Sequence, residues 1–83
     1  MKAKEIIPSQ EKKYLKKLGN RIKSLRKEKG YSNYEYFAYD IGISRAQYGK
    51  YEAGANIKFN TLLKIIKGFD MTVEDFFAEG FDK

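Results

Sequence analysis

The sequence predicts an all-α domain, a compact bundle of five helices. Apolar residues recur at spacings of three and four along most of the chain, which indicates amphipathic helices. Residues that favour helix ends separate these stretches, and no stretch alternates polar with apolar residues as a strand does. A chain of 83 residues suits one domain with one modest core. We expect an N-terminal arm over residues 1–8 and the helical domain over residues 9–83.

The first helix is predicted from Ser9 to Lys29, with Ser9 as its N-cap and Gly30 just beyond its end. Most of its surface positions are Lys or Arg, which suits the exposed side of a helix. Gly19 lies inside this helix at a cost of about 1 kcal/mol relative to alanine, and close packing is one explanation for it. The apolar stripe consists of Leu15, Leu18, Ile22 and Leu25.

The second helix is predicted over residues 33–41. Ser32 and Glu35 fit the S-x-x-E capping box at its start, and Gly42 follows its end. The side chains expected on its inward face are Phe37, Ala38 and Ile41. Two tyrosines, Tyr36 and Tyr39, fall outside this spacing and are expected to be exposed.

The third helix is predicted over residues 45–52. Ser44 and Gln47 fit the S-x-x-Q form of the capping box. Tyr48 and Tyr51 are three residues apart, so they share one side of the helix and are expected in the core. The remaining side chains of this helix then point outward.

The fourth helix is predicted over residues 60–69, and the fifth begins after Thr72. Thr72 is the expected N-cap of the fifth helix, and the acidic residues of its first turn suit the positive end of the helix dipole. The residues expected on the buried sides of these two helices are Leu62, Leu63, Ile66, Phe69, Val73, Phe76 and Phe77.

The composition excludes several kinds of functional site. The chain has no Cys and no His, so it lacks thiolate nucleophiles, the usual general base and the commonest metal ligand. It has no Gly-rich phosphate loop and no nucleophile motif, and no run of about 18 apolar residues that would span a membrane. We therefore predict a cytoplasmic protein that is not an enzyme, holds no metal or cofactor and has no membrane segment.

The net charge of +6 is concentrated in the first part of the chain. Residues 1–30 carry 11 Lys and Arg against 3 Asp and Glu. A basic block of this kind attracts polyanions such as nucleic acid, but it also describes an ordinary solvated helix face. The charge alone therefore does not decide between these two interpretations.

The join between the second and third helices carries the functional signal. Gly42 ends one helix, Ile43 follows, and Ser44 caps the next helix. A turn this short is typical of the helix-turn-helix motif. That motif lays one helix across the phosphate backbone of double-stranded DNA and places the next helix in the major groove.

The chain resembles the Xre/Cro-type, phage-repressor-like helix-turn-helix family over roughly residues 18–77. The matching features, in chain order, are Arg26, Phe37-Ala38, Gly42-Ile43-Ser44-Arg45, Glu52, Gly54, Thr61-Leu62-Leu63 and Thr72-Val73-Glu74-Asp75-Phe76-Phe77. The resemblance implies a five-helix, repressor-like domain that binds a roughly palindromic operator as a homodimer. The chain departs from the family pattern at Tyr34, where members often have Gln, at Lys58, where they often have Ser or Thr, and at Asp70, where they often have Gly.

In the helix-turn-helix interpretation the outward side of the third helix reads base edges. The expected reading residues are Arg45, Ala46, Gln47 and Lys50. Arg and Lys pair best with guanine, Gln pairs best with adenine, and the alanine methyl can contact thymine. The alternative is an ordinary polar helix face. Gly49 lies on the same helix and either lets the backbone approach DNA closely or only avoids a clash.

Five residues are expected to contact the DNA backbone: Tyr34, Ser44, Asn56, Lys58 and Asn60. A tyrosine or serine hydroxyl is a common partner of a phosphate oxygen. The alternative for Tyr34 is a surface tyrosine that has no partner, and Ser44 serves as a helix cap in either case. The other three residues lie in or beside the loop that approaches the DNA backbone in this family.

The resemblance also pairs Arg26 with Glu52 in a structural ion pair between the first helix and the end of the third. The family commonly dimerises through its C-terminal region, where Phe81 is the residue most suspected of contacting a partner chain. The opposite interpretation is that Phe81 packs on its own core or frays.

We therefore predict a sequence-specific transcriptional regulator that binds double-stranded DNA, with the helix of residues 44–52 in the major groove. The alternative is a protein-interaction module, such as an antitoxin-like partner, that keeps the helix-turn-helix fold. Its protein partner would bind the C-terminal apolar end of the chain.

Overall fold

Five α-helices form the domain in the computed structural model, which describes residues 5 and 7–81. They are α1 (Pro8–Glu28), α2 (Tyr34–Asp40), α3 (Arg45–Glu52), α4 (Phe59–Gly68) and α5 (Val73–Phe77). No strand occurs among the described residues, so the predicted all-α fold with five helices is confirmed. Most of the predicted N-terminal arm, at positions 1–4 and 6, lies outside the described residues, as do positions 82 and 83.

Helices α1 to α4 all end in the same hydrogen-bonded turn. At the end of α2, the N–H of Gly42 donates to the carbonyl of Tyr39, and the N–H of Ile43 donates to the carbonyl of Ala38, at 3.1 and 2.9 Å. These two bonds form a Schellman motif, which needs a left-handed residue just beyond the helix. Gly42 supplies it with a φ of 75°, and glycine does so without steric cost.

The equivalent position after α4 is occupied by Asp70, the departure noted in the sequence. Asp70 has a φ of 57° and is the one non-glycine residue with positive φ among those described. Aspartate tolerates this conformation better than most residues do. Its carboxylate accepts a hydrogen bond from Lys29 Nζ at 2.9 Å, which ties the end of α4 to the end of α1.

Of the four predicted N-cap residues, two are correct and two are wrong. Ser44 accepts a hydrogen bond from the Gln47 N–H at 3.2 Å, and Thr72 accepts one from the Asp75 N–H at 3.1 Å, as expected of N-caps. Ser9 does not cap α1, because Pro8 already occupies the first helical position, where its missing N–H is not needed.

The start of α2 differs in a similar way. Ser32 was expected to cap it, but Asn33 is the N-cap, and its side-chain oxygen accepts a hydrogen bond from the Glu35 N–H at 2.7 Å. Asparagine is at least as good a cap as serine, and the capping-box pattern does not distinguish the two neighbouring positions.

One hydrophobic core lies between the five helices. Its buried side chains are Ile22, Leu25, Phe37, Ala38, Tyr48, Tyr51, Leu62, Ile65, Ile66, Phe69 and Phe76. The aromatic core residues expected from spacing are buried, with the exception of Phe77. Leu63, Val73 and Phe77 were expected on buried sides but are exposed, because α4 and α5 turn only one side of each helix toward the core. Tyr36 and Tyr39 are exposed, as predicted.

Two residues of α1, Gly19 and Arg21, make close contacts with neighbouring helices. A Cβ atom built on Gly19 would lie 2.5 Å from the carbonyl oxygen of Glu52, so α1 and α3 approach more closely than alanine would allow. Arg21 is buried and donates hydrogen bonds to the carbonyl oxygens of Phe76 and Asp75, at 2.8 and 3.0 Å. It thereby supplies hydrogen-bond donors to carbonyl groups at the end of α5, where a helix leaves carbonyl groups without N–H partners of its own.

Within the described part of the chain, every helix is too short or too polar to cross a lipid bilayer.

Candidate nucleic-acid interface

The turn between α2 and α3 consists of Ile41, Gly42, Ile43 and Ser44. The Schellman motif at Gly42 and the serine cap at Ser44 hold its two ends. Ile41 and Ile43 are partly buried against the core, so their side chains hold the turn in place. The two short helices are therefore fixed relative to each other by local hydrogen bonds and by burial.

Helix α3 separates an aromatic buried side from a polar exposed side. Tyr48 and Tyr51 are buried, as the sequence predicts. The four expected base-reading residues are all exposed: Arg45, Ala46, Gln47 and Lys50. The structure thus brings two cations, one amide and one methyl group together on the same short helix, where they are open to a ligand.

Arg45 makes an ion pair that the sequence pattern does not predict. Its Nη1 atom lies 3.3 Å from Oε2 of Glu35, which is on the first turn of α2. The Arg45 side chain is 74% exposed and the Glu35 side chain 44% exposed. The two residues are ten positions apart, so no helical spacing relates them; opposite charges on the two sides of a short turn were the only available signal.

Tyr34 lies across the join between α2 and α3. A Cβ atom built on Gly49 would lie 2.9 Å from the Tyr34 hydroxyl and 3.1 Å from the ring carbon that bears it. Gly49 therefore leaves room for the Tyr34 side chain, which supports the second of the two interpretations given for this glycine. The centroid of the Tyr34 ring lies 6.0 Å from that of the Tyr48 ring, and part of the Tyr34 side chain stays exposed.

The remaining expected backbone-contacting residues lie on the segment between α3 and the first turn of α4. Asn56, Lys58 and Asn60 are all exposed. Lys58 is the N-cap residue of α4 but makes no side-chain capping bond, and the first turn of α4 contains no acidic residue. The N–H groups at the start of α4 therefore lie beside a lysine, an arrangement that suits an anion.

A buried ion pair holds the far end of α3. Arg26 Nε and Nη2 donate to the two carboxylate oxygens of Glu52 at 2.8 and 3.0 Å, and Nη1 donates to the carbonyl oxygen of Tyr31 at 2.7 Å. The two side chains are only 4% and 8% exposed. The Glu52 carboxylate raises the pKa of Arg26, so the guanidinium stays charged.

The Tyr48 hydroxyl lies near this pair. It is buried and has no hydrogen-bond partner of good geometry among the described residues. Burial, followed by the nearby Glu52 carboxylate, raises the pKa of Tyr48 well above its usual value, so the phenol stays neutral. The C-terminal half of α3 thus contributes two buried polar groups, the Glu52 carboxylate paired with Arg26 and the neutral Tyr48 hydroxyl.

An open groove of about 670 Å³ lies beside the start of α3. Its lining residues are Glu35, Tyr36, Tyr39, Asp40, Ile43, Ser44 and Arg45. The Asp40 carboxylate accepts a hydrogen bond from the Tyr31 hydroxyl at 2.5 Å. That bond raises the pKa of the Tyr31 phenol above its usual value. The sequence predicts the two exposed tyrosines but not the groove, because the groove depends on how α2 and α3 pack.

The comparisons with known proteins agree with this geometry. A family model described as helix-turn-helix (HTH_3) matches residues 22–76, which include α2, α3 and the turn between them. The chain is also similar to a control protein, C.MunI, from a Mycoplasma species. The two are 36% identical over 64 residues, which cover 76% of this chain and 86% of the relative. No solved structure matched the chain.

Proposed function

The chain belongs to the Xre/Cro-type helix-turn-helix family of DNA-binding transcriptional regulators, and from that premise we propose that two copies of it bind a roughly palindromic operator. Each copy places α3 in the major groove of double-stranded DNA, and occupancy of the operator controls transcription. The relative that is named a control protein supports this regulatory role.

The observation that carries the proposal is the division of α3 into two sides. Its aromatic residues are buried, and Arg45, Gln47 and Lys50 are exposed together. The major groove of B-DNA admits one α-helix, and these three residue types recognise the base edges displayed there. We assign Ala46 to contact with a thymine methyl group in the same groove.

Contacts to phosphate groups would set the position of α3 on the duplex. We assign Lys58 and Asn60, at the uncapped start of α4, to one stretch of DNA backbone, with Asn56 in the same loop. Tyr34 and Ser44, at the starts of α2 and α3, are assigned to another. These contacts carry no sequence information themselves, so each should act on every duplex alike.

The exposed apolar residues of the last two helices support the dimer. Phe59 and Leu63 are four residues apart on α4, and Val73 and Phe77 are four residues apart on α5, so each pair shares one side of its helix. Burial against a second copy would remove these side chains from water. A symmetric dimer would then set two copies of α3 about 34 Å apart, one turn of DNA.

Selection from a library of random DNA duplexes, repeated at two salt concentrations, tests the proposal. We expect one enriched motif with approximate two-fold symmetry and affinity that falls steeply as salt increases, since lysines release counterions from DNA. Enrichment of no motif would contradict sequence-specific binding. An asymmetric motif bound by one copy would contradict the dimer while leaving α3 as the reading helix.

A protein-interaction module is the second candidate, and the same exposed apolar residues favour it, because they suit a different polypeptide as well as a second copy. Phe81 supports this candidate less than expected. It is partly buried against its own domain, and its ring centroid lies 4.9 Å from that of Phe77 and 6.1 Å from that of Phe76. Co-purification of a second protein, together with failure to select any duplex, would favour the module.

A further inference from the structure

We propose that Glu35 is a positioning residue for sequence reading: it holds the Arg45 guanidinium in the orientation that meets a guanine. The inference rests on the proposed function, since it presumes that Arg45 faces base edges. It assigns a role in recognition to a residue on α2, outside the helix that enters the groove.

The contact leaves the reading edge of the guanidinium available. Arg45 meets Glu35 through Nη1, at 3.3 Å from Oε2. A guanidinium has five N–H donors in a rigid fork, and two of them suffice for the paired contact with guanine O6 and N7. Nε and Nη2 can therefore bind the base while Nη1 stays with the carboxylate.

Glu35 is well placed to act as an anchor because its own backbone is fixed. Its N–H donates to the Asn33 side chain at 2.7 Å, at the capped start of α2. The hydrogen-bonded turn at Gly42 then fixes α2 relative to α3. Arg45 is the first residue of α3, where its long, mostly exposed side chain would otherwise sample many rotamers.

A carboxylate at this position has two effects that can be separated. Its negative charge repels the phosphates of every duplex, so removing it should strengthen binding to all DNA. Its contact with Arg45 matters only on a duplex where Arg45 binds its preferred base. Removing the carboxylate should therefore weaken discrimination between sequences. The ratio of affinities for the selected duplex and a scrambled duplex cancels the first effect and reports the second.

The first experiment compares Glu35→Gln with a matched control, Asp40→Asn, at fixed salt. Asp40 lies on the same helix, and the asparagine keeps an oxygen that can accept the Tyr31 hydrogen bond. Both variants lose one negative charge. For Glu35→Gln we expect the specific-to-scrambled affinity ratio to fall about two- to fivefold, the size of effect of one exposed ion pair. For Asp40→Asn we expect the ratio to stay unchanged.

The Arg45→Ala background provides the decisive control. If Glu35 acts through Arg45, then Glu35→Gln changes the affinity ratio in the wild-type background and leaves it unchanged when Arg45 is already alanine. An equal fall of the ratio in both backgrounds, or a rise of the ratio in Glu35→Gln, would overturn the inference. The rise would mean that Glu35 competes with the base for Arg45.

A second measurement needs no DNA. In the free protein, the NMR order parameter of the Arg45 Nε–H bond should be lower in Glu35→Gln than in wild type and unchanged in Asp40→Asn. Equal order parameters in all three would contradict positioning by Glu35. If Arg45→Ala itself leaves the affinity ratio intact, it is the proposed base-reading role of Arg45 that fails, which distinguishes that failure from a failure of positioning by Glu35.

Discussion

Two arginine–glutamate pairs tie α3 to its neighbours, and they differ chiefly in burial. The Arg26–Glu52 pair joins α1 to the end of α3 through two hydrogen bonds, with side chains 4% and 8% exposed. The Arg45–Glu35 pair joins α2 to the start of α3 through one contact, with side chains 74% and 44% exposed. The same two chemical groups therefore serve opposite ends of one helix in very different surroundings.

One end of α3 is therefore held by a buried ion pair, and the other end carries an exposed cation. Charges buried together depend on each other, because either one left alone is desolvated without a partner. Charges in contact with water interact weakly, so losing one partner of an exposed pair costs little stability.

Breaking the buried pair should cost the most stability. Glu52→Ala leaves Arg26 charged and buried, so we expect a loss of about 3–5 kcal/mol in the free energy of unfolding. Urea denaturation at low temperature measures it, so that a partly unfolded variant can still be analysed. Glu35→Ala is the matched control and should lose less than about 1 kcal/mol. Similar losses in the two variants would contradict the contrast.

A methyl group at the joint between α1 and α3 should be the next most damaging change. In Gly19→Ala the new Cβ meets backbone carbonyl oxygens of Glu52 and Tyr51 at 2.5 and 2.7 Å. Backbone cannot move aside, so we expect a loss of about 1–3 kcal/mol in spite of better helix propensity.

The control for that prediction is Gly49→Ala, at the joint between α2 and α3. There the nearest atoms belong to the end of the Tyr34 side chain, which can rotate away. We expect its free energy of unfolding to stay within about 1 kcal/mol of wild type, because the gain in helix propensity offsets the displacement. Thermal melting of both variants checks the pair, and a greater loss in Gly49→Ala than in Gly19→Ala would be evidence against it.

Removing the exposed cation should affect recognition and leave stability almost unchanged. Arg45→Ala should reduce discrimination between the selected and scrambled duplexes by about 1–3 kcal/mol, the contribution of one paired contact with a base. Lys58→Ala should instead weaken binding to both duplexes about equally and reduce the salt dependence by about one counterion. Fluorescence anisotropy titrations at several salt concentrations separate the two outcomes. If Lys58→Ala reduced discrimination and Arg45→Ala weakened binding to both duplexes equally, the roles proposed for the two residues would be contradicted.

The smallest expected effect concerns an exposed pair far from α3. The Lys29 ammonium lowers the pKa of the Asp70 carboxyl, both by hydrogen bonding and by its charge. The folded state therefore binds the proton less tightly than the unfolded state does. The stabilisation is present above the ordinary pKa of 3.8 and is lost as the pH falls through the lowered value. Wild type should melt slightly above Asp70→Asn at pH 7, and the two melting temperatures should converge at acid pH.

The number and order of the helices and most of the core can be predicted from local sequence patterns. These signals are local: a serine or threonine caps a helix through an N–H three residues later, as at Ser44 and Thr72, and apolar spacing marks which side of a helix is buried. The exposed side of α3 follows from the same spacing, because burying Tyr48 and Tyr51 turns Arg45 and Lys50 outward. Adjacent cap candidates such as Ser32 and Asn33 differ too little for a local pattern to separate them.

The close approaches between helices and the meeting of particular charged residues depend instead on tertiary packing. The burial of Arg21 against carbonyl oxygens of α5 joins residues more than 50 positions apart, and no periodicity relates them. The close approach at Gly19 and the meeting of Glu35 with Arg45 likewise depend on how the helices are set against one another. Exposure of Phe77 has the same origin, since a short helix buries only the side its neighbours cover. Secondary structure arises from contacts within one turn, whereas these features require the whole chain to be folded.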